Sequence, residues 1–205
     1  MTATLPTPAG RDGPPEPVDT NRWSFYVGLD FYRQLDGLVE AWSQDWPPAK
    51  PLVRLETEAV LAREARLIDD GLFNEWTRLF TDECLYWVPI TPGGGDPRSE
   101  VSYAFDDRRR LTDRVYWLRT GQAVCQIPQS RTRRLVTNVE VLDTAPYRLV
   151  RSNFVIYEYR AGVHRSYVGW YGHALERRDG EWRIAVKQVN LLDSEQGHEN
   201  LTIIF

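Results

Sequence analysis

Three histidines (His164, His173 and His198) and two cysteines (Cys84 and Cys125) are the side chains of this 205-residue chain best suited to metal or nucleophilic chemistry. A facial-triad iron site needs two histidines and a carboxylate converging on one point. His164 and His173 lie nine positions apart in a segment with strand-like alternation. An odd separation sends them to opposite faces unless a bulge intervenes. An iron–sulfur cluster with mixed ligation needs two cysteines and two histidines in paired motifs, yet neither cysteine has a histidine within three positions. The expectation is a chain with no catalytic residue, no cofactor and no metal of its own. Acid–base chemistry in a water-poor pocket is the other option, because Tyr167, Tyr171 and His173 share one strand face and could line a cavity of isomerase or dehydratase type. Against it, aromatic side chains at that spacing ordinarily pack cores, and no carboxylate is set beside His173 by spacing. The sharpest charged cluster is Arg131, Arg133 and Arg134, suited to bidentate pairing with carboxylates at an interface; a solvated strand entry is the plainer reading.

The elements that must position these residues follow from pattern and punctuation. Residues 1–21 carry Pro6, Pro8, Gly10, Gly13, Pro14, Pro15 and Pro17 with almost no large apolar side chain. They are expected to form a disordered tail. Phe25, Leu29, Tyr32, Leu35, Val39 and Trp42 recur at helical spacing, and the proline-rich run Trp46 to Pro51 ends that helix. Residues 22–51 therefore read as a helical arm and linker, whose apolar face must pack on its own domain or on a partner. Residues 52–205 read as the main domain. Its first helix, over 55–70, carries Val60, Leu61, Ala65, Leu67 and Ile68 on one face and is stopped by Gly71. A short helix with Leu72, Phe73, Trp76, Leu79 and Phe80 follows. Next come a buried strand over 83–90, with Pro89 marking a sheet edge, and a third helix over 106–119.

From there the period switches to two. Leu135, Thr137, Val139 and Val141 mark one strand; Val150, Phe154 and Ile156 mark the next. Two more run from Val163 to Glu176 and from Trp182 to Leu192, joined by an Asp179-Gly180 hairpin turn. Helices first and antiparallel strands after is an α+β order, a curved sheet wrapped on three helices. Cys84 and Cys125, both in apolar surroundings, are expected to be buried thiols.

The charge excludes some partners. Twenty-five basic against twenty-nine acidic side chains give a net charge of −4, without the basic excess of a general nucleic-acid binder. No apolar run approaches the length needed to span a bilayer, so the expected location is the cytoplasm. Only Lys50 and Lys187 are lysines; every other cation is arginine.

Residues from about 58 onward resemble a known family. The matching pieces are Glu64-Ala65-Arg66-Leu67-Ile68-Asp69-Asp70 followed by Trp76, then Leu79 to Asp82 and Tyr86-Trp87-Val88-Pro89. Further pieces are Ser130 to Val139, Lys187 to Asp193 and Asn200 to Phe205. In order and spacing these resemble the β (small) subunits of aromatic-ring-hydroxylating dioxygenases of the biphenyl, naphthalene and benzoate type. The resemblance implies a cone-shaped α+β fold like that of nuclear transport factor 2, also called cystatin-like. It implies an assembly role beside a catalytic α subunit in an α3β3 oxygenase. That partner would hold a Rieske [2Fe–2S] cluster and a mononuclear Fe(II), and would receive electrons from a ferredoxin or reductase for cis-dihydroxylation of an aromatic ring. With the resemblance in hand, Arg131, Arg133, Arg134, Trp87, Asp193 and Phe205 are the residues expected at contacts with the α subunit or other β subunits. A stand-alone isomerase or dehydratase is the alternative.

Overall fold

The computed structural model describes residues 29–120, 123–198 and 201–205; the expected tail over 1–21 and the first residues of the arm lie outside them. Helix α1 spans Leu29–Ser43, α2 Pro51–Asp69, α3 Phe73–Thr77 and α4 Arg108–Arg119. Strands are β1 Phe80–Pro89, β2 Ser102–Asp106, β3 Arg131–Asp143, β4 Arg148–Arg160, β5 Val163–Arg178 and β6 Glu181–Leu191. They form one sheet in the order β2-β1-β6-β5-β4-β3. None of the described helices is long and apolar enough to cross a membrane.

Local chemistry sets the boundaries. Pro51 occupies the first turn of α2, where a missing N–H costs nothing, so this helix begins four residues before the expected start. Its end is a Schellman stop: Gly71 has φ +73, its N–H reaches Ile68 O, and Leu72 N–H reaches Leu67 O. Asp107 caps α4 by accepting from Arg110 N at 2.8 Å, leaving Asp106 as the last residue of β2. The turns at Ala161-Gly162 and Asp179-Gly180 have positive φ at both residues, as a tight hairpin matched to strand twist requires.

Three features were not visible in the pattern. β2, a five-residue strand, pairs with β1, so Pro89 sits at a register shift at the strand's end and not on an outer edge. β1 also runs parallel to β6, the one parallel pair in an otherwise antiparallel sheet; alternation along a strand is blind to its neighbour's direction. Finally, a bulge between Thr137 and Glu140, with Asn138 at φ +53, switches faces within β3. Thr132 and Arg134 point inward before it, Val139 and Val141 after it, so Leu135 and Thr137 lie on the opposite face from Val139 and Val141. An extra residue does this because side-chain direction has a period of two.

The sheet has a core on each face. The inner one packs α2, α3, α4 and Ile203–Phe205 against Tyr86, Val88, Val150, Phe154, Tyr171 and Val189. On the outer face, α1 lays Leu35, Leu38 and Trp42 on Leu85, Trp87, Leu149, Ala174 and Val186. Gly172 makes this fit possible, since a Cβ there would meet the Trp42 ring at 2.8 Å. Arg151 ties down the end of α1, donating to Trp42 O at 2.6 Å and pairing with Glu140 at 2.6 Å. Of the two thiols, Cys84 is buried but Cys125 is exposed: it sits in a 3-10 turn over Val124–Gln126, whose apolar neighbours face solvent. They form no disulfide with each other.

Candidate functional site

Inside the cone the structure gathers charged groups that spacing kept apart. Glu64 lies on the inner face of α2 with Leu61, Leu67 and Ile68, positions three or four apart that share a helix side. Its Oε1 accepts from Lys187 Nζ on β6 at 2.8 Å and from Trp76 Nε1 on α3 at 3.1 Å. Its Oε2 lies 3.0 Å from His173 Nε2 on β5. Burial alone would push the Glu64 carboxyl up, but Lys187 and His173 outweigh it and hold the group far below the usual carboxylate range. Burial brings Lys187 down to about 8, with Glu64 opposing that loss. It also lowers His173, whose Nε2 must be the donor in this contact because an ionised carboxylate can only accept. The Lys187 ammonium further rests 4.4 Å from the Tyr171 ring centre, a favourable place for a cation.

The chain's own terminal segment fills the remaining space. Phe205 N donates to Tyr86 Oη at 3.0 Å, and Lys187 Nζ donates to Phe205 O at 2.7 Å. The Phe205 ring meets Tyr167 edge-on at 5.3 Å. Arg134, its side chain only 1% exposed, pairs with Asp69 at 3.4 Å and donates to Ile204 O at 2.9 Å. Tyr167 donates to Glu158 Oε2 at 2.9 Å.

The three residues expected to share a face, Tyr167, Tyr171 and His173, do so, and all are buried. Spacing set no carboxylate beside His173, but the fold does: Glu64 is delivered by a helix more than a hundred residues away in sequence. Two signals carried this in principle, an acid on an apolar helix face and a lysine within the apolar run Ile184 to Val189. The chemical capacity of the cluster is nonetheless small, because both oxygens of Glu64 are engaged and its residue is 3% exposed. A general base must reach a substrate proton.

The six expected contact residues divide by burial. Arg131, Arg133 and Asp193 are exposed; Arg134, Trp87 and Phe205 are buried within the chain. Trp87 lies beneath α1 and donates to Ser102 Oγ at 2.9 Å. Arg134 points inward because it is one residue out of phase with Arg133, which stays on the surface 3.6 Å from Asp70. Arg131 stacks over Tyr159 at 4.7 Å. A cleft of about 1260 Å³ opens beside them, between the α2–α3 turn, the start of β3 and the β4–β5 turn.

The remaining histidines stand apart: His164 lies against Tyr159 and His198 against Tyr103. Among the described residues no group of three or more His, Cys, Asp or Glu side chains is disposed to hold a metal ion. The donor set does not fit a Rieske cluster or a mononuclear iron.

Residues 63–195 match the family described as ring hydroxylating beta subunit. The small oxygenase component of the p-cumate 2,3-dioxygenase system of Pseudomonas putida is 37% identical over 166 residues, 79% of this chain and 91% of that one. The 2-halobenzoate 1,2-dioxygenase small subunit of Burkholderia cepacia is 32% identical over 143 residues, 67% and 87% of the two chains. The solved beta subunit of the benzoate 1,2-dioxygenase of Burkholderia mallei superposes with a TM-score of 0.60 at 25% identity, covering 72% of this chain and 95% of that one. The fold is the expected nuclear transport factor 2-like, cystatin-like cone. The chain belongs to the ring hydroxylating beta subunit family of aromatic-ring dioxygenases.

Proposed function

We propose that this chain is the assembly subunit of an aromatic-ring-hydroxylating dioxygenase and contributes shape, while a larger α subunit performs the chemistry. One observation carries the reading beyond family membership: the interior of the cone is packed by Ile203, Ile204 and Phe205, and Glu64 is sealed among three donors. A stand-alone isomerase or dehydratase needs an open, water-poor cavity ending on its acid or base. Here that volume holds the protein's own side chains.

In this reading the α subunit holds the Rieske [2Fe–2S] cluster and the mononuclear Fe(II), fed by a ferredoxin or reductase in the cytoplasm, and α and β subunits assemble as α3β3. The substrate of the complex is an aromatic carboxylate, a class supported by the names of the relatives, which act on p-cumate, 2-halobenzoate and benzoate. Arg131, Arg133 and Asp193 are the contact residues that remain on the surface; Trp87, Arg134 and Phe205 support contacts by fixing α1, β3 and the terminal segment.

The test is co-expression with the larger oxygenase chain, followed by native mass measurement, iron analysis and turnover with an aromatic acid. Equal numbers of the two chains, with iron and activity only when both are present, are expected. Stoichiometric iron or aromatic oxidation by this chain alone would overturn the reading.

A further inference from the structure

The cleft between the α2–α3 turn, the start of β3 and the β4–β5 turn gathers cations that the rest of the chain leaves uncompensated. Arg131 on β3, Tyr159 on β4 and His164 on β5 are direct partners in register. The Arg131 guanidinium lies over the Tyr159 ring at 4.7 Å, and the His164 ring packs against the same tyrosine with centroids 4.8 Å apart. Arg160, next along β4, lines the cleft as well. Among the described residues neither Arg131 nor Arg160 has a carboxylate within ion-pair distance, whereas the acids of the cleft are engaged. Asp69 accepts from Thr132 Oγ1 and from the Arg134 N–H, and Asp70 faces Arg133 at 3.6 Å. Glu158 accepts from Ser130 Oγ and Tyr167 Oη. The helices add an apolar wall: Leu72 and Phe73 at the start of α3, and Leu118 on α4, with Leu72 and Leu118 half-buried.

We propose that this cleft binds an aromatic carboxylate, its carboxyl group held by Arg131 and Arg160 and its ring against Leu72, Phe73 and Leu118. Planar guanidinium forks match the two oxygens of a carboxylate, and an aromatic ring removes the helical wall from water. Inorganic phosphate satisfies the cations but leaves that wall wet. A neutral arene covers the wall but leaves the cations without a counter-charge. A ligand with both parts uses both sides. The choice of acid rests on the substrate class proposed above for the complex; the site itself is built wholly by this chain.

Two measurements test this. The full chain, isolated alone so that no subunit contact competes at Arg131, is titrated with p-cumate by calorimetry. Saturable binding is expected, at least about tenfold tighter than that of the neutral p-cumate amide or of inorganic phosphate. Arg131→Gln combined with Arg160→Gln should weaken it at least about tenfold, with the circular dichroism and melting temperature unaltered. In parallel, the wild-type chain is crystallised with p-bromobenzoate, which locates the ligand without any substitution; the bromine signal is expected beside Leu118. Absence of saturable binding, phosphate or amide binding as tightly, affinity that survives the double change, or bromine outside the cleft overturns the proposal. The functional reading fails separately. A chain that binds the acid but joins no larger oxygenase chain defeats that reading and leaves the site standing; an active complex whose small subunit binds no acid does the reverse.

Discussion

The two faces of the sheet handle polar groups in opposite ways. On the inner face an acid, a lysine and an imidazole are removed from water and partnered with one another, with Trp76 and with the terminal segment. On the outer face α1 covers Leu85, Trp87, Leu149, Ala174 and Val186, then leaves the next rows with leucine, valine and tyrosine in solvent. A buried ion pair adds little net stability, because desolvation offsets attraction, but it is strongly destabilising when one partner is lost. The inner face is thus a device for holding a single shape. The outer face leaves part of that shape in solvent.

The contrast is sharpest at Glu64. Glu64→Gln leaves the Lys187 ammonium buried without its counter-charge, and a loss of about 3–5 kcal/mol in unfolding free energy is expected, read by denaturant titration. Pairing it with Lys187→Met should recover most of that loss, since the unpaired charge goes with the lysine. Full stability in the single variant would show that the cluster does not hold the fold.

Next comes the covered half of the outer face. Gly172→Ala places a methyl group into the Trp42 ring, and overpacking of this kind costs about 1–3 kcal/mol. Tryptophan fluorescence and protease cutting near α1 should report its displacement, with the inner core intact. An unchanged emission spectrum would mean that α1 does not depend on this contact.

A smaller effect is expected from acid. Folding depresses His173 and Glu64 below their ordinary values of 6.5 and 4.5, so the unfolded chain takes up protons first and stability rises with pH across each window. The melting temperature should therefore drop as pH falls below about 6.5 and again, more steeply, below about 4.5. His173→Gln retains a donor to Glu64 and should flatten only the upper part of that slope; an unaltered profile would remove the imidazole from the account.

The smallest effect belongs to the open half. Leu135→Lys should change the stability of the isolated domain by no more than about 0.5 kcal/mol, because the side chain is already largely in water. A large loss on thermal melting would mean that Leu135 packs within its own chain and would dissolve the contrast between the two halves.

Helices α1, α2 and α4, the hairpins at Ala161-Gly162 and Asp179-Gly180 and the stop at Gly71 were legible because each is fixed by neighbours in sequence: apolar spacing, a capping acid, a residue tolerant of positive φ. The parity of Arg133 and Arg134 was legible too, once β3 was recognised as a strand. The bulge at Asn138 was not. Leu135, Thr137, Val139 and Val141 keep an unbroken alternation in sequence, and only pairing with β4 reveals the extra residue.

The amino-acid order by itself determined the α+β class, the family and the lack of clustered thiolate and imidazole donors, all properties of residue type and local spacing. The partners of Glu64 and the filling of the cone by Ile203–Phe205 were decided only in three dimensions. Those contacts join residues up to 123 positions apart, from Glu64 on α2 to Lys187 on β6. Nothing in a local pattern says which distant strand or helix will lie alongside.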